Sequence, residues 1–417
     1  PGLPDCWAAI HERHGAMPLT RLFARAIDLA ANGFPLSRDI AAALECNRER
    51  LAQFEESARI FLPSGAPPRP GDLLVQKDLA RTLQTVAEGG RAAFYEGPVA
   101  EALTAAFKKD ADGLISGDDL QRHGAEVGEP LRARYRRYTI TEQPPISQGH
   151  ILLQELLMLD QVDLPAMDHL GVDSIHTMIE VKKLAFADRT AAAGDPRFVA
   201  VDWDRLLSPD RARARVEEVD PLRAHVVSAG DSKPTDTTQF VVGDADGRAV
   251  TFIQSVYHPF GSAAVAAGTG MLLNNRMLGF GTDPALPNVM APGKRTVHTL
   301  NTYTVFRDGE FMLAGGTPGA DFQVQTNMQI LTAILDYGLD IQAAVDAPRW
   351  GHRQGRTVFV ESRLPAATRR QLRRRGHIVQ IGPAWTGELG RAMLLARGRH
   401  GWEAVADQRR ESAAAGY

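Results

Sequence analysis

The strongest constraint on this chain is a change of character at residue 237. Upstream, apolar residues recur mainly at helical spacing. Downstream, they form short runs of strand formers split by tight turns. The seam reads Lys233-Pro-Thr-Asp-Thr-Thr-Gln-Phe-Val-Val-Gly-Asp-Ala-Asp-Gly247, a polar, proline-bearing tail joined directly to a strand. The pattern divides the chain into a helix-rich part over residues 1–236 and a strand-rich part over 237–417.

Within the first part, residues 1–60 carry helical periodicity through Trp7, Ile10, Leu19, Leu22, Phe23 and Ile27, with Gly33 closing a segment. Residues 61–76 are dense in Pro and Gly and read as a loop. Helices are expected from Leu79 to Gly89 and from Val99 to Lys109, and an N-cap precedes the acidic turn Gly117-Asp-Asp119. Leu131 to Glu142 alternates like one strand, and helices follow through Leu159 and to about Ala187. Residues 205–236 read as a charged helix and then a flexible tether. After the seam, Gln239–Gly243 and Ala249–Tyr257 read as a hairpin, with Thr237 starting a central strand. Strands are also expected at Leu300–Phe306, Phe311–Ala314, Thr357–Val360, Met393–Leu395 and Trp402–Val405, and helices at Phe322–Tyr337 and Ala366–Arg375.

The chain of 417 residues is 44% hydrophobic and 23% charged, enough to bury a substantial core. Its net charge of −3 gives no footprint for nucleic acid or an anionic membrane surface. The one dense basic run, Arg369 to Arg375, reads as the solvated face of a helix ending at Gly376. Two cysteines allow neither a disulfide framework nor a multi-cysteine metal site. No apolar run approaches the roughly 20 residues of a membrane helix. His11 and His14 lack zinc-protease spacing, so no metal is expected. The chain opens on Pro1 without a methionine, which leaves the compartment undecided between cytoplasm and periplasm.

A threonine on such a seam has a specific chemical use. At a chain N-terminus its Oγ is a nucleophile, and its own α-amine, with a pKa of roughly 7.7–8.0, is the base. The bond before it must first be cut, and the same hydroxyl can do this by an N-to-O acyl shift. That needs a free segment upstream and a rigid strand downstream, which Asp236-Thr237 offers. The bland alternative is an ordinary strand edge, where threonine is common.

A wider set of motifs supports the chemical reading. Thr237-Thr-Gln239, Gly247-Arg-Ala-Val250, Phe260-Gly-Ser262, Gly268-Thr-Gly270, Leu272-Leu-Asn-Asn275 and Ala314-Gly-Gly-Thr-Pro-Gly-Ala320 lie after the seam. Ile10-His-Glu-Arg-His-Gly15, Pro144-Pro-Ile-Ser-Gln-Gly149, Ala185-Phe-Ala-Asp-Arg189 and Gly194-Asp-Pro196 lie before it. Together, over essentially the whole chain, these resemble the γ-glutamyltranspeptidase family of N-terminal-nucleophile hydrolases.

The resemblance implies a four-layer αββα sandwich, an α+β fold with two stacked, mainly antiparallel sheets between helices. It implies a precursor cut between Asp236 and Thr237 into an intertwined α/β heterodimer, and it leaves a higher oligomer open. Thr237 is then the nucleophile, Ser255 its supporting hydroxyl, and the N–H groups of Gly319 and Ala320 the oxyanion site. Substrate-binding positions fall on Tyr257, Arg276, Gly279, His298 and Thr299, and all five depart from the family pattern. The family's aspartate for the α-ammonium is Gly279 here, a cation stands at Arg276, and a paired-serine motif is His298-Thr299. The family's carboxylate-binding arginine lies upstream of residue 1. The implied substrate is a small amide, the acceptor water or an amine, and no cofactor is needed. Three readings follow: a glutathione-type γ-glutamyl enzyme, a relative with changed acyl specificity acting on oxamate- or glutaryl-type amides, and an unprocessed binding homologue. Asp188-Arg189 and Pro348-Arg349 read as structural ion pairs or turn anchors.

Overall fold

The structure, a computed structural model, describes residues 1–110, 112–226 and 236–416. The second half of the expected tether, residues 227–235, lies outside the described residues. The chain forms two compact units: residues 1–127 with 256–275, and residues 128–255 with 276–417. Each unit draws on both sides of Thr237, so the compositional seam is not a boundary between units.

The first unit is helical: α1 (Leu3–His14), α2 (Leu19–Asn32), α3 (Lys77–Tyr95) and α4 (Pro98–Asp110). Two small apolar cores hold it, one around Leu44, Leu51 and Phe61, the other around Phe94, Tyr95 and Leu103. The expected cap is present: Ser116 and Asp119 form a reciprocal capping box. The downstream excursion 256–275 is tied to these helices by hydrogen bonds to its backbone. Arg50 Nη2 donates to Gly261 O (2.6 Å), Ser57 Oγ to Ala263 O (2.6 Å) and Thr82 Oγ1 to Thr269 O (2.8 Å). The Pro/Gly-rich stretch also holds a two-residue strand, Leu73–Leu74, paired with Phe34–Pro35.

The second unit is built on a six-stranded antiparallel sheet. Its strands are β1 (Leu131–Tyr135), β2 (Tyr138–Glu142), β5 (Thr302–Arg307), β6 (Glu310–Gly316), β10 (Met393–Gly398) and β11 (Gly401–Ala406). The order is β11-β10-β6-β5-β2-β1. Leu131–Glu142 is thus not one strand but a hairpin. Ala133 and Tyr135 are buried on one arm, Tyr138 and Ile140 on the other. The alternation changes phase at Arg136, which turns the chain with φ 54°.

β3 (Asp236–Gly243) and β4 (Ala249–Tyr257) form a separate pair. Among the described residues β3 pairs only with β4, so Thr237 does not start the central strand of a wider sheet. A third sheet joins β7 (Trp350–His352), β8 (Thr357–Glu361) and β9 (Ile378–Gly382), the last two in parallel. Helices α5 (Gly149–Leu159), α6 (Val172–Ala192) and α7 (Phe322–Leu335) complete the core, and α8 (Ala366–Arg374) carries the basic run. Every residue of α5 is buried, which suits a helix apolar on nearly all sides. Gly376, at φ 93°, ends the turn after α8, leaving Arg370, Arg373 and Arg374 exposed as expected. Among the described residues no helix is long and apolar enough to cross a membrane.

Candidate active site

Thr237 and Gln239 point to the buried side of β3, whereas Thr238 and Phe240 are exposed, as the two-residue period of a strand requires. The hairpin can lie on the six-stranded sheet because glycines clear its path. A Cβ on Gly243 would meet the Trp402 ring at 2.6 Å, and one on Gly316 would meet Gln239 Cγ at 3.4 Å. Trp402 Nε1 donates to Asp244 O (2.7 Å), fixing the far end of the strand. Gln239 therefore sits over the end of β6. Thr237, two residues earlier, reaches about 6.6 Å further along the same line. That direction is toward the loop 317–320, which follows β6.

The cross-strand register can be read from two contacts. Asp244 N donates to Arg248 O (3.0 Å), and the rings of Phe240 and Phe252 stack with centroids 5.2 Å apart. Stepping along this antiparallel register sets Ser255 opposite Thr237. Directly opposed side chains have Cβ atoms about 4.5–5.5 Å apart, within reach of a hydroxyl contact. Thr237 Oγ1 is buried and has no hydrogen-bond partner among the described residues. An ordinary strand threonine would satisfy its hydroxyl; leaving one buried and unmade costs about 1–3 kcal/mol.

The loop between β6 and α7 is held in an unusual backbone shape. Gly319 has φ 135° and Ala320 φ 52°. Among the described residues neither N–H donates a hydrogen bond, although Ala320 is buried. Both N–H groups are thus available to an acceptor outside the described residues. The Gly319 carbonyl accepts from Phe322 N (2.9 Å), which docks the loop on the first turn of α7.

Arg276 and Gly279 bound a short 3₁₀ turn. A Cβ on Gly279 would lie 2.8 Å from Thr296 Oγ1 and 3.2 Å from Val297 O, so this turn packs on the strand-like segment leading to His298. His298 N donates to Ile146 O (3.0 Å), and its imidazole is pushed down to about 3 by burial and by the Arg276 charge. His298 is therefore neutral near pH 7, and the Arg276 guanidinium acts on it electrostatically. Thr299 is joined to the loop 317–320 through one side chain. Gln148 Nε2 donates to both Thr299 O (2.9 Å) and Ala320 O (3.1 Å). Within the second unit, then, Arg276, Gly279, His298, Thr299 and Ala320 are linked by contact. Tyr257 belongs to the first unit, at φ 83° and stacked on His258.

Sequence reasoning missed Gln148 as a site residue. Its only signal was its place in the Pro144–Gly149 motif. Asp188 and Arg189 form the expected ion pairs, with Arg211 and Asp321 respectively. Arg349 pairs with Asp407 at 2.7 Å, both fully buried. The Asp195 carboxyl, although burial alone would raise it, is held down to about 2 by bonds from Arg197 and from Arg295 N, which anchors the loop before His298.

One buried group of metal-ligand type exists among the described residues: His176, Glu180 and His377. It closes on itself. His176 Nε2 faces Asp220 O (2.9 Å) and so donates, leaving Nδ1 to accept from His377 Nε2 (2.8 Å). Lys183 already neutralises Glu180 at 2.7 Å.

A strand-borne threonine whose buried hydroxyl has no partner among the described residues is compatible with the chemistry of an N-terminal nucleophile. The profile of the family described as Gamma-glutamyltranspeptidase matches residues 1–417. The chain is 36% identical over 424 residues to the Glutathione hydrolase-like YwrD proenzyme of Bacillus subtilis, covering 100% of this chain and 80% of that protein. It is 34% identical over 409 residues to the Oxamate amidohydrolase proenzyme of Klebsiella pneumoniae, covering 96% and 76%. The crystal structure of cephalosporin acylase from Bacillus halodurans superposes with a TM-score of 0.91 at 32% identity, covering 99% of this chain and 78% of that one. The protein belongs to the γ-glutamyltranspeptidase family, with the family's combination of helices and antiparallel sheets.

Proposed function

We propose that the protein is a self-processing amidohydrolase or acyltransferase whose acyl group carries an anionic tail rather than a γ-glutamyl ammonium. Thr237 Oγ attacks the Asp236 carbonyl carbon and the C–N bond breaks. The resulting ester is hydrolysed by water to leave the Asp236 carboxylate and a free Thr237 α-amine. The cut separates the chain that ends at Asp236 from the chain that begins at Thr237, and both stay in the four-layer αββα arrangement of the family.

In turnover the α-amine takes the Oγ proton as the oxygen attacks the substrate carbonyl. Charge on the tetrahedral oxygen is met by the N–H groups of Gly319 and Ala320. The proton then passes to the leaving amine, and water or a second amine resolves the acyl ester. Ser255, opposite Thr237, orients the nucleophile by hydrogen bonding. No step in this sequence calls for a metal or organic cofactor.

The observation that carries the reading is the buried Thr237 hydroxyl, without a hydrogen-bond partner among the described residues, on a strand that runs toward the loop 317–320. The acyl assignment follows from charge. A substrate ammonium near Arg276 would meet a like charge in a partly desolvated site, at a cost of several kcal/mol. A carboxylate tail there gains instead, with neutral His298 and the Thr299 hydroxyl as hydrogen-bonding neighbours. The shared family with an oxamate amidohydrolase supports the same direction.

The test is a denaturing gel with turnover of two anilides. Wild type should give two bands and prefer glutaryl- over γ-glutamyl-p-nitroanilide; Thr237→Ala should give one band and no turnover. A single band from active wild type removes the mechanism. A strong γ-glutamyl preference removes the acyl assignment alone.

A further inference from the structure

We propose that Gln148 is a positioning residue that locks the anion-binding loop to the wall of the acyl pocket; the assignment rests on the acyl-transfer reading above. Gln148 is buried in the turn that leads into α5. Its carboxamide spans three segments distant in sequence. Nε2 donates to Thr299 O and Ala320 O at 2.9 and 3.1 Å, and Oε1 accepts from Arg189 Nη1 at 3.2 Å. Its backbone N donates to His298 O at 3.1 Å. The orientation of the amide is forced, because a flip would set Oε1 against two carbonyl oxygens and the NH₂ against a guanidinium.

Arg189 is itself fixed. It binds both carboxylate oxygens of Asp321 at 2.6 and 3.3 Å and lies over the Phe186 ring, 4.4 Å from its centroid. The last turn of α6 therefore holds the side chain that holds the two loops.

The reason this bears on catalysis is the backbone at Ala320. A non-glycine residue at φ 52° stays there only when its surroundings fix it. The Ala320 carbonyl has two donors, Gln148 Nε2 and Gln323 N, each at 3.1 Å. Gln323 belongs to α7, the same local segment. Gln148 is the donor from outside it, and the same nitrogen grips Thr299 beside His298. Removing that donor leaves both loops folded while releasing the link that sets their spacing. Transition-state stabilisation is sensitive to such misplacement, with about 1 Å worth on the order of 100-fold.

The decisive variant is Gln148→Glu, which keeps size and the acceptor for Arg189 but loses the donor; Gln148→Ala is the second. With an anilide that wild type hydrolyses, kcat of Gln148→Glu should fall about 10- to 100-fold with a cooperative melt retained. Its activity relative to wild type should rise as pH falls and the new carboxyl regains a proton to donate. Retention of kcat to within about threefold overturns the proposal, as does loss of the cooperative melt in both variants, which marks a purely structural role. Wild type that neither cuts itself nor hydrolyses amides overturns the underlying reading instead, so the two failures are distinct.

Discussion

Replacing Asp407 with Asn should destabilise the second unit by about 3–5 kcal/mol, the range for removing one partner of a buried ion pair. Asp407 is fully buried at the centre of a charge cluster. Its carboxylate lies 2.7 Å from Arg349 and 3.1 Å from Arg409, and both guanidiniums are buried with it. It also accepts from the backbone N–H groups of Ala392 and Arg409 at 3.0 Å each. Burial alone would raise its pKa, but the two arginines hold it below the usual carboxylate range, so the charged form is the one the fold uses. Asn keeps the shape and one acceptor, but it turns an NH₂ toward donors and leaves Arg349 without its partner's charge. For a domain of this size 1 kcal/mol moves the melting temperature by about 2–4 °C, so a fall of roughly 6–20 °C is expected. The measurement belongs in an uncleavable Thr237→Ala background, where unfolding stays unimolecular. Asp210→Asn, at an exposed pair whose carboxylate is 92% accessible, serves as the control and should move stability by no more than about 0.5 kcal/mol. An Asp407→Asn effect below about 1 kcal/mol would refute the reasoning. Because Arg349 also donates to Gly390 O at 3.0 Å, and Gly390 packs against Gly319, the cleavable version should in addition lose kcat.

Three further outcomes follow from the same geometry. Gly243→Leu would drive a Cβ to 2.6 Å from the Trp402 ring and lift β3, so self-cleavage followed on a gel should slow by at least about tenfold; an unchanged time course counts against the seating of Thr237. Gly319→Ala places a side chain at φ 135°, a conformation worth about 1–3 kcal/mol of strain, so kcat should fall far more than KM rises, and equal changes in both would argue against an anion loop. Burial pushes the imidazoles of His298 and His377 down to about 3. Their stability contribution is whole above the unfolded value of about 6.5 and is lost as pH falls toward 3, so the urea midpoint should drop steadily from pH 6.5 to 4 and the drop should shrink in His377→Gln.

Most of the secondary structure was legible because its signals are local. The Ser116 cap and Gly376 after the basic helix each act within a few residues. Leu131–Glu142 shows where the reading slipped. The pattern does alternate, but Ala133 and Tyr135 are odd-numbered while Tyr138 and Ile140 are even, and that change of phase at Arg136 marks a hairpin. Thr237 as the proposed nucleophile comes from chemistry, and the place of Ser255 opposite it from antiparallel register once the contact of Asp244 N with Arg248 O is known. Gln148 was not legible. Nothing in residues 143–149 says that one amide will meet residues 189, 299 and 320, since those meetings depend on how β5, α6 and α7 pack.

The six-stranded sheet is sewn from both sides of residue 237: β2 lies before it and β5 after it, with Tyr138 opposite Arg307 and Glu142 opposite Tyr303. A nick there would release nothing, yet it would alter the molecule's history. Before scission, refolding after denaturation is a one-body problem, indifferent to dilution. Afterwards the same native state must be rebuilt from two separate strings that have to find each other, so a heat-spent mature enzyme should recover poorly in dilute solution where its uncut parent recovers well.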